Sequence, residues 1–188
     1  MKKQATLFRS LTTVAIVTIA LLLVPFISMQ FTSQVNWSAA DFLIMGALIF
    51  GIGLSYVIIN RFAPNWVYRI AITLALMATF LMIWVNMAVG LIGSGPNAAN
   101  IMYGIIVLVA VVGVTVSRLR AAGMERTMYA MVSMLMLLTG VALLAGMDQY
   151  PGSSSKEILA VGAFFSVLFF VSGRLFNAAK NPRFSQNV

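Results

Sequence analysis

Long apolar runs separated by short polar links set the pattern of this chain. Six runs stand out, at residues 11–29, 42–59, 67–92, 101–117, 127–146 and 158–173. A membrane-spanning helix needs about 20 mostly apolar residues, and each run reaches or approaches that length. The runs are continuous and do not alternate, which disfavours a β-barrel. The pattern predicts one all-α integral membrane domain of six transmembrane helices, arranged as three antiparallel hairpins. The third run is the longest and is expected to tilt or project.

The links carry helix-start signals. Ser38 stands three residues before Asp41, and Ser154 three before Glu157, the spacing in which a hydroxyl and an acidic group cap a helix start. Asn97 and Asn100 hold the equivalent place before the fourth run, with Asn97 able to cap. Gly93-Ser94-Gly95-Pro96-Asn97 lacks the lysine and the strand context of a phosphate-cradling loop. It reads as a tight turn, with Pro96 at a first helical position. The runs and links recur with a period of about 57 residues, which a repeat of three hairpins would produce. Charge sorting and helix capping produce the same pattern without a repeat, so both origins stay open.

Charge placement then orients the chain. With the N-terminus inside, the inside segments carry Lys2, Lys3, Arg9, Arg61, Arg69, Arg118, Arg120, Arg126, Arg174, Lys180 and Arg183, and the outside links carry Lys156. The excess of basic residues on one side predicts that both termini are cytoplasmic. The basic start followed by an apolar run resembles a secretory signal. No small-x-small site follows it, so a retained first helix is expected. The link from Arg118 through Arg120 to Arg126 reads as a basic loop attracted to anionic lipid, and residues 177–188 as a short polar cytoplasmic tail.

Composition agrees. The 188 residues are 61% hydrophobic and 9% charged, against about 25% charged in a soluble domain. A net charge of +8 would point to nucleic acid in a soluble protein. Here the basic residues flank apolar runs, and no nucleic-acid partner is expected. The chain has no histidine and no cysteine, which removes the commonest metal ligands, thiolate chemistry and disulfides. Apart from Arg69 at the start of the third run, no Asp, Glu, Lys, Arg or His falls within the six runs, where ion-coupled transport would place one. Asp41 and Glu157 fit caps, Glu125 lies in the basic loop and Asp148 in the last outside link, so no catalytic pair is called for. Met124, Met128, Met131 and Met134 follow helical spacing without a companion Cys or His, and read as flexible core filler. No cofactor, metal site or catalytic residue is expected.

Candidate contacts are small or neutral. Ala39, Gly46, Gly53 and Asn60 recur at sevens in the second run, as do Thr79, Asn86 and Gly93 in the third. Ser133 and Gly140 in the fifth, and Gly162, Ser166 and Gly173 in the sixth, extend the pattern. In lipid, small residues allow helices to approach closely, so these stripes are expected to be packing seams. Asn86 is the notable polar group inside a run. It is expected to bond to another helix or to touch a neutral ligand, with Gly90 and Gly93 following on its helical face. Trp37, Trp84 and Tyr103 are placed near the outer membrane boundary and Trp66 near the inner one, as in aromatic belts.

The combination Gln30-Phe31-Thr32, Val35-Asn36-Trp37 and Asp41-Phe42 with Trp84-Val85-Asn86, Ala88 through Gly93 and Asn97-Ala98-Ala99-Asn100 resembles a group of small multi-pass inner-membrane proteins of Gram-negative bacteria without an established activity. The resemblance covers roughly residues 8 to 145. That group carries acidic residues in the outer turn and a proline after its asparagine; here the turn is Ser94-Gly95-Pro96-Asn97-Ala98. The resemblance implies a bacterial inner-membrane location and this topology. The functional expectation is a non-enzymatic accessory, scaffold or assembly subunit that packs on other membrane helices or on itself. The alternative is a channel or facilitator for a small neutral solute.

Overall fold

The computed structural model describes residues 2–93, 97–181 and 183. Six α-helices form: α1 Lys2–Phe31, α2 Ala39–Asn60, α3 Trp66–Ala88, α4 Gly104–Ser117, α5 Ala121–Leu144 and α6 Ser155–Ala178. A 3-10 segment, Ala98–Tyr103, leads into α4, and a shorter one, Met147–Gln149, precedes α6. Counting α4 with the 3-10 segment before it, all six are long and apolar enough to cross a membrane. The protein is an all-helical, multi-pass membrane protein. Residues 94–96 and 182, and those from 184 onward, lie outside the described residues, and with them the Gly95–Pro96 turn and most of the expected tail.

Where the sequence reads as one domain, the contacts divide the chain into two compact units, Met1–Arg61 and Phe62–Val188. The first is the pair α1 and α2. Ser38 caps α2 through a reciprocal box: the Asp41 N–H donates to Ser38 Oγ at 3.3 Å, and the Ser38 N–H donates to Asp41 Oδ2 at 2.7 Å. Gly46 and Gly53 share the face of α2 turned to α1. A methyl group added at Gly53 would come within 2.7 Å of Val14, and one at Gly46 within 3.2 Å of Leu22. The absent side chains let the two backbones approach, which is how helices gain contact in lipid.

The second unit holds α3 to α6. α5 packs on α4 and α6, and α6 packs on α3. The expected second hairpin, α3 with α4, is not a closely packed pair, and the long partner of α3 is α6. Tyr68, Ile72, Ala75 and Met82 follow helical spacing and line the buried face of α3. Opposite lie Met124, Met128, Met131 and Leu135 of α5 and Phe165, Phe169 and Phe176 of α6, all buried. The first three methionines thus fill the core. Ser172, fully buried on α6, donates to the Ala71 carbonyl of α3 at 2.9 Å. Gly162 on α6 sits against Thr139 of α5, whose hydroxyl occupies the space a Cβ would need.

One end of this unit is tied by polar contacts of three residues, Asn65, Tyr68 and Glu125, that the sequence did not mark. Asn65, buried, caps α3 by accepting from the Tyr68 N–H at 3.0 Å and donates to the Ala179 carbonyl at 2.8 Å. The Tyr68 hydroxyl donates to the Leu119 carbonyl at 2.5 Å. Glu125 receives Lys180 at 2.7 Å and Asn177 at 2.5 Å. The start of α3, the α4–α5 turn and the end of α6 therefore meet at one end. In that turn Arg118 and Leu119 both adopt left-handed backbone, at φ 49° and 60°. Such conformations cost non-glycine residues about 1–3 kcal/mol each, so the surrounding contacts must hold them. Tyr68 on Leu119, and the Ser117 hydroxyl accepting from the Leu119 N–H, do so.

Several boundaries move. α3 ends at Ala88, with Val89 as its C-cap, so Gly90 and Gly93 do not continue its face as expected. α5 begins at Ala121, which puts Arg126 in a helix and leaves only Arg118 to Arg120 as the loop. α6 runs to Ala178, so the tail begins later than residue 177. Tyr103 is buried and does not stand in an aromatic belt.

Candidate functional site

The structure brings together Asn86, Gly90, Gly93, Asn97 and Asn100, at the end of the second unit where α3 stops. The apolar run from Trp84 to Ile92 would permit more helix, and the backbone shows why it breaks. Val89 N–H and Gly90 N–H both donate to the Val85 carbonyl, at 3.0 and 3.2 Å, and Gly90 then turns to φ +83°. Gly93 follows at φ +67°. Glycine adopts these angles without the Cβ penalty, which makes the two residues turn formers here and not seam residues.

Asn100 closes the turn from the far side. Its Oδ1 accepts from the Leu91 N–H at 3.0 Å and the Ile92 N–H at 2.9 Å, and its Nδ2 donates to the Ile92 carbonyl at 3.1 Å. Asn100 was expected among the helix caps; it lies instead within the 3-10 segment, buried, holding a neighbouring strand of chain. Asn97 caps that segment: its Oδ1 accepts from the Ala99 N–H at 3.0 Å, and its Nδ2 reaches the Ile92 carbonyl at 3.3 Å. Ile92, fully buried, thus receives two asparagine donors on one carbonyl. A Cβ on Gly90 would lie 2.7 Å from Asn100 Nδ2, so the close approach of these two residues requires glycine.

Asn86 completes the group from the last turns of α3. Its Nδ2 donates to the Asn100 backbone carbonyl at 3.1 Å. The partner expected on another helix is therefore the 3-10 segment that follows in the same chain. Its Oδ1 is buried and accepts no hydrogen bond among the described residues. A groove of about 650 Å³ opens beside it, lined by Asn86, Met87, Val89, Gly90, Asn97 and Ile101 among others. Every lining residue is uncharged. The chemistry on offer is amide donation and acceptance, with no nucleophile or general base in the lining.

The other sequence candidates are scattered. Gly46 and Gly53 serve the α1–α2 contact and Gly162 the α5–α6 contact. Ser38 and Asp41 cap α2. Ser154 caps α6 by accepting from the Glu157 N–H at 3.2 Å, without the returning bond that a full box has. Asp148 accepts the Ser155 hydroxyl at 2.5 Å. The tie between Asn65 and Ala179 spans 114 residues and gave no local signal beyond an asparagine before an apolar run.

No protein-family model, curated protein or solved structure matches this chain.

Proposed function

We propose that the protein is a non-enzymatic subunit of a larger membrane assembly, docking on a helix of another chain or of a second copy. The observation that carries this reading is the contrast between covered and open glycines. Gly46, Gly53, Gly113, Gly162 and Gly173 are each met by a side chain of this protein, while Gly51, in the middle of α2, and Gly140, on α5, meet nothing within 4 Å. Ala47, Gly51 and Ser55 form a small-residue stripe at four-residue spacing. At about 100° per residue, that stripe lies roughly 140° around α2 from Gly46, on a different face from the one against α1. A glycine within a helix costs about 1 kcal/mol relative to alanine, and in lipid the compensation is close helix approach.

The proposal places the protein in a bacterial inner membrane with both ends cytoplasmic. Support comes from the basic residues of the second unit: Arg118, Arg120, Arg126 and Lys180 belong to the end tied by Asn65, Tyr68 and Glu125, and the asparagine turn belongs to the other. A basic end is the one retained in the cytoplasm.

The test is gentle extraction of the tagged full chain from its own membrane and measurement of native mass, with Gly51→Leu and Gly140→Leu as the variants. A stoichiometric complex that Gly51→Leu and Gly140→Leu disperse supports the reading. A wild-type monomer at every detergent concentration overturns it. The second reading, a facilitator for a small neutral solute, is favoured by the uncharged, asparagine-containing lining of the groove beside Asn86. The lining of that groove includes no residue of α5 or α6, so it offers a mouth and no path. Solute flux into liposomes, compared with Asn86→Leu, decides this point.

A further inference from the structure

A second groove, of about 720 Å³, lies between α4 and α5. Leu108, Val112 and Val116, at four-residue spacing, wall it on α4; Ala122, Arg126 and Ala130, at the same spacing, wall it on α5. The three α4 residues are all exposed, at 60%, 51% and 77%. The alanines leave the trough open, and Gly113 lets Thr127 settle into its floor. Arg120 and Arg126 both line it.

Those two guanidiniums have no acidic partner among the described residues. Glu125, the acid adjacent in sequence, is taken by Lys180 and Asn177 on the α6 side. Among the described residues the Glu125–Lys180 contact is the one ion pair. Arg120 is also the N-cap of α5 without a side-chain cap, so the first N–H groups of that helix add positive potential at the same place. The result is an exposed apolar trough with two uncompensated arginines in its lining.

We propose that this groove seats one anionic phospholipid, its phosphate held by Arg120 and Arg126 and an acyl chain laid along Leu108, Val112 and Val116. Arginine suits phosphate because its planar fork can hold two oxygens at once. A water-soluble anion would use the arginines and leave the apolar wall bare; a zwitterionic lipid would use the wall but bring a quaternary ammonium that offsets its own phosphate and adds no net negative charge beside the two arginines. An anionic lipid satisfies both. The site belongs to the α4–α5 pair and does not depend on the docking face of α2.

Native mass spectrometry of the full chain, released from nanodiscs containing phosphatidylglycerol and phosphatidylcholine, tests this. Wild type is expected to retain one phosphatidylglycerol in preference to phosphatidylcholine. Arg120→Gln with Arg126→Gln is expected to weaken that retention about 30-fold, from the usual contribution of a basic residue near anionic lipid. Ala130→Trp keeps every charge and fills the trough, and is expected to weaken it about tenfold. Each variant is scored after helicity and monodisperse elution match wild type. Arg118, two residues earlier but outside the lining, is the control. Equal loss in Arg118→Gln would reduce the effect to diffuse surface charge and overturn the proposal. Full retention in either Ala130→Trp or the double arginine variant overturns it too, as does displacement of the lipid by inorganic phosphate alone.

Discussion

The side-chain amide of Asn86, in the last turns of α3, donates to the backbone carbonyl of Asn100 at 3.1 Å, across the turn that ends the helix. Asn100 in turn spends its own side chain on Leu91 and Ile92. The two asparagines therefore act in series: one fixes the position of the other, and the second fixes the turn. Nothing in this arrangement is charged, which suits a segment near the membrane boundary.

Removing the second asparagine leaves two amide N–H groups in a buried turn without acceptors. Each such orphan costs about 1–3 kcal/mol, so Asn100→Ala is expected to destabilise the protein by about 2–6 kcal/mol. Asn97→Ala removes the cap on Ala99 and is expected to cost about 1 kcal/mol. Denaturant titration in mixed micelles, following tryptophan fluorescence, measures both. A loss of less than about 1 kcal/mol in Asn100→Ala would show that the turn does not depend on Asn100.

Gly90 is required for two reasons at once, its φ of +83° and the 2.7 Å that would separate a Cβ from Asn100 Nδ2. Gly90→Ala is expected to cost about 1–3 kcal/mol from backbone strain. Limited proteolysis of the link between α3 and α4 should accelerate in the same variant. Gly51→Ala, in open space on a helix, is expected to be neutral or to stabilise the isolated chain by up to about 1 kcal/mol.

Asn65 caps α3 and reaches the end of α6. Asn65→Ala loses both functions and is expected to cost about 2–3 kcal/mol, combining a cap with a buried hydrogen bond. Asn65→Ser keeps a capping oxygen and gives up the bond to Ala179, for about 1 kcal/mol. Hydrogen exchange resolves the two: protection at the end of α6 should fall in both variants, and at the start of α3 chiefly in Asn65→Ala.

Gly162 and Thr139 form a small-to-polar contact between α6 and α5, with the Thr139 hydroxyl donating back to Leu135 at 2.8 Å. Gly162→Ala alone should be destabilising, because its Cβ would fall on that hydroxyl. Thr139→Ala opens the space, and the double variant is expected to recover about 1 kcal/mol or more relative to additivity. Additive losses would mean that the helices do not touch here in solution.

The legible part of this protein was the part governed by transfer into lipid. Runs of apolar residues long enough to span a bilayer predict helices whatever packs beside them, because a backbone in lipid must satisfy its hydrogen bonds locally. The Ser38–Asp41 spacing marked the start of α2 for a similarly local reason. The candidate site was legible only as residue types: Asn86, Asn97 and Asn100 stood out, as did Gly90 and Gly93. Asn97 caps as its position suggested, but the roles of Gly90, Gly93 and Asn100 were misread, because hydropathy continues through Leu91 and Ile92 after the helix has stopped. Apolar content does not distinguish a helix from a buried turn, and the positive φ of Gly90 is a backbone fact that hydropathy does not encode.

What the sequence alone determined was the helix count, the all-helical class and the embedding in a membrane, each a consequence of solvation along a local stretch of chain. The tertiary structure decided which helices are partners. It set α6 and not α4 against α3, turned Glu125 away from its neighbouring arginines toward Lys180, and joined Asn65 to Ala179. In lipid the hydrophobic effect does not rank one apolar neighbour over another. Partner choice then falls to shape and to single hydrogen bonds between distant residues, such as Ser172 on Ala71, and these exist only once the helices have met.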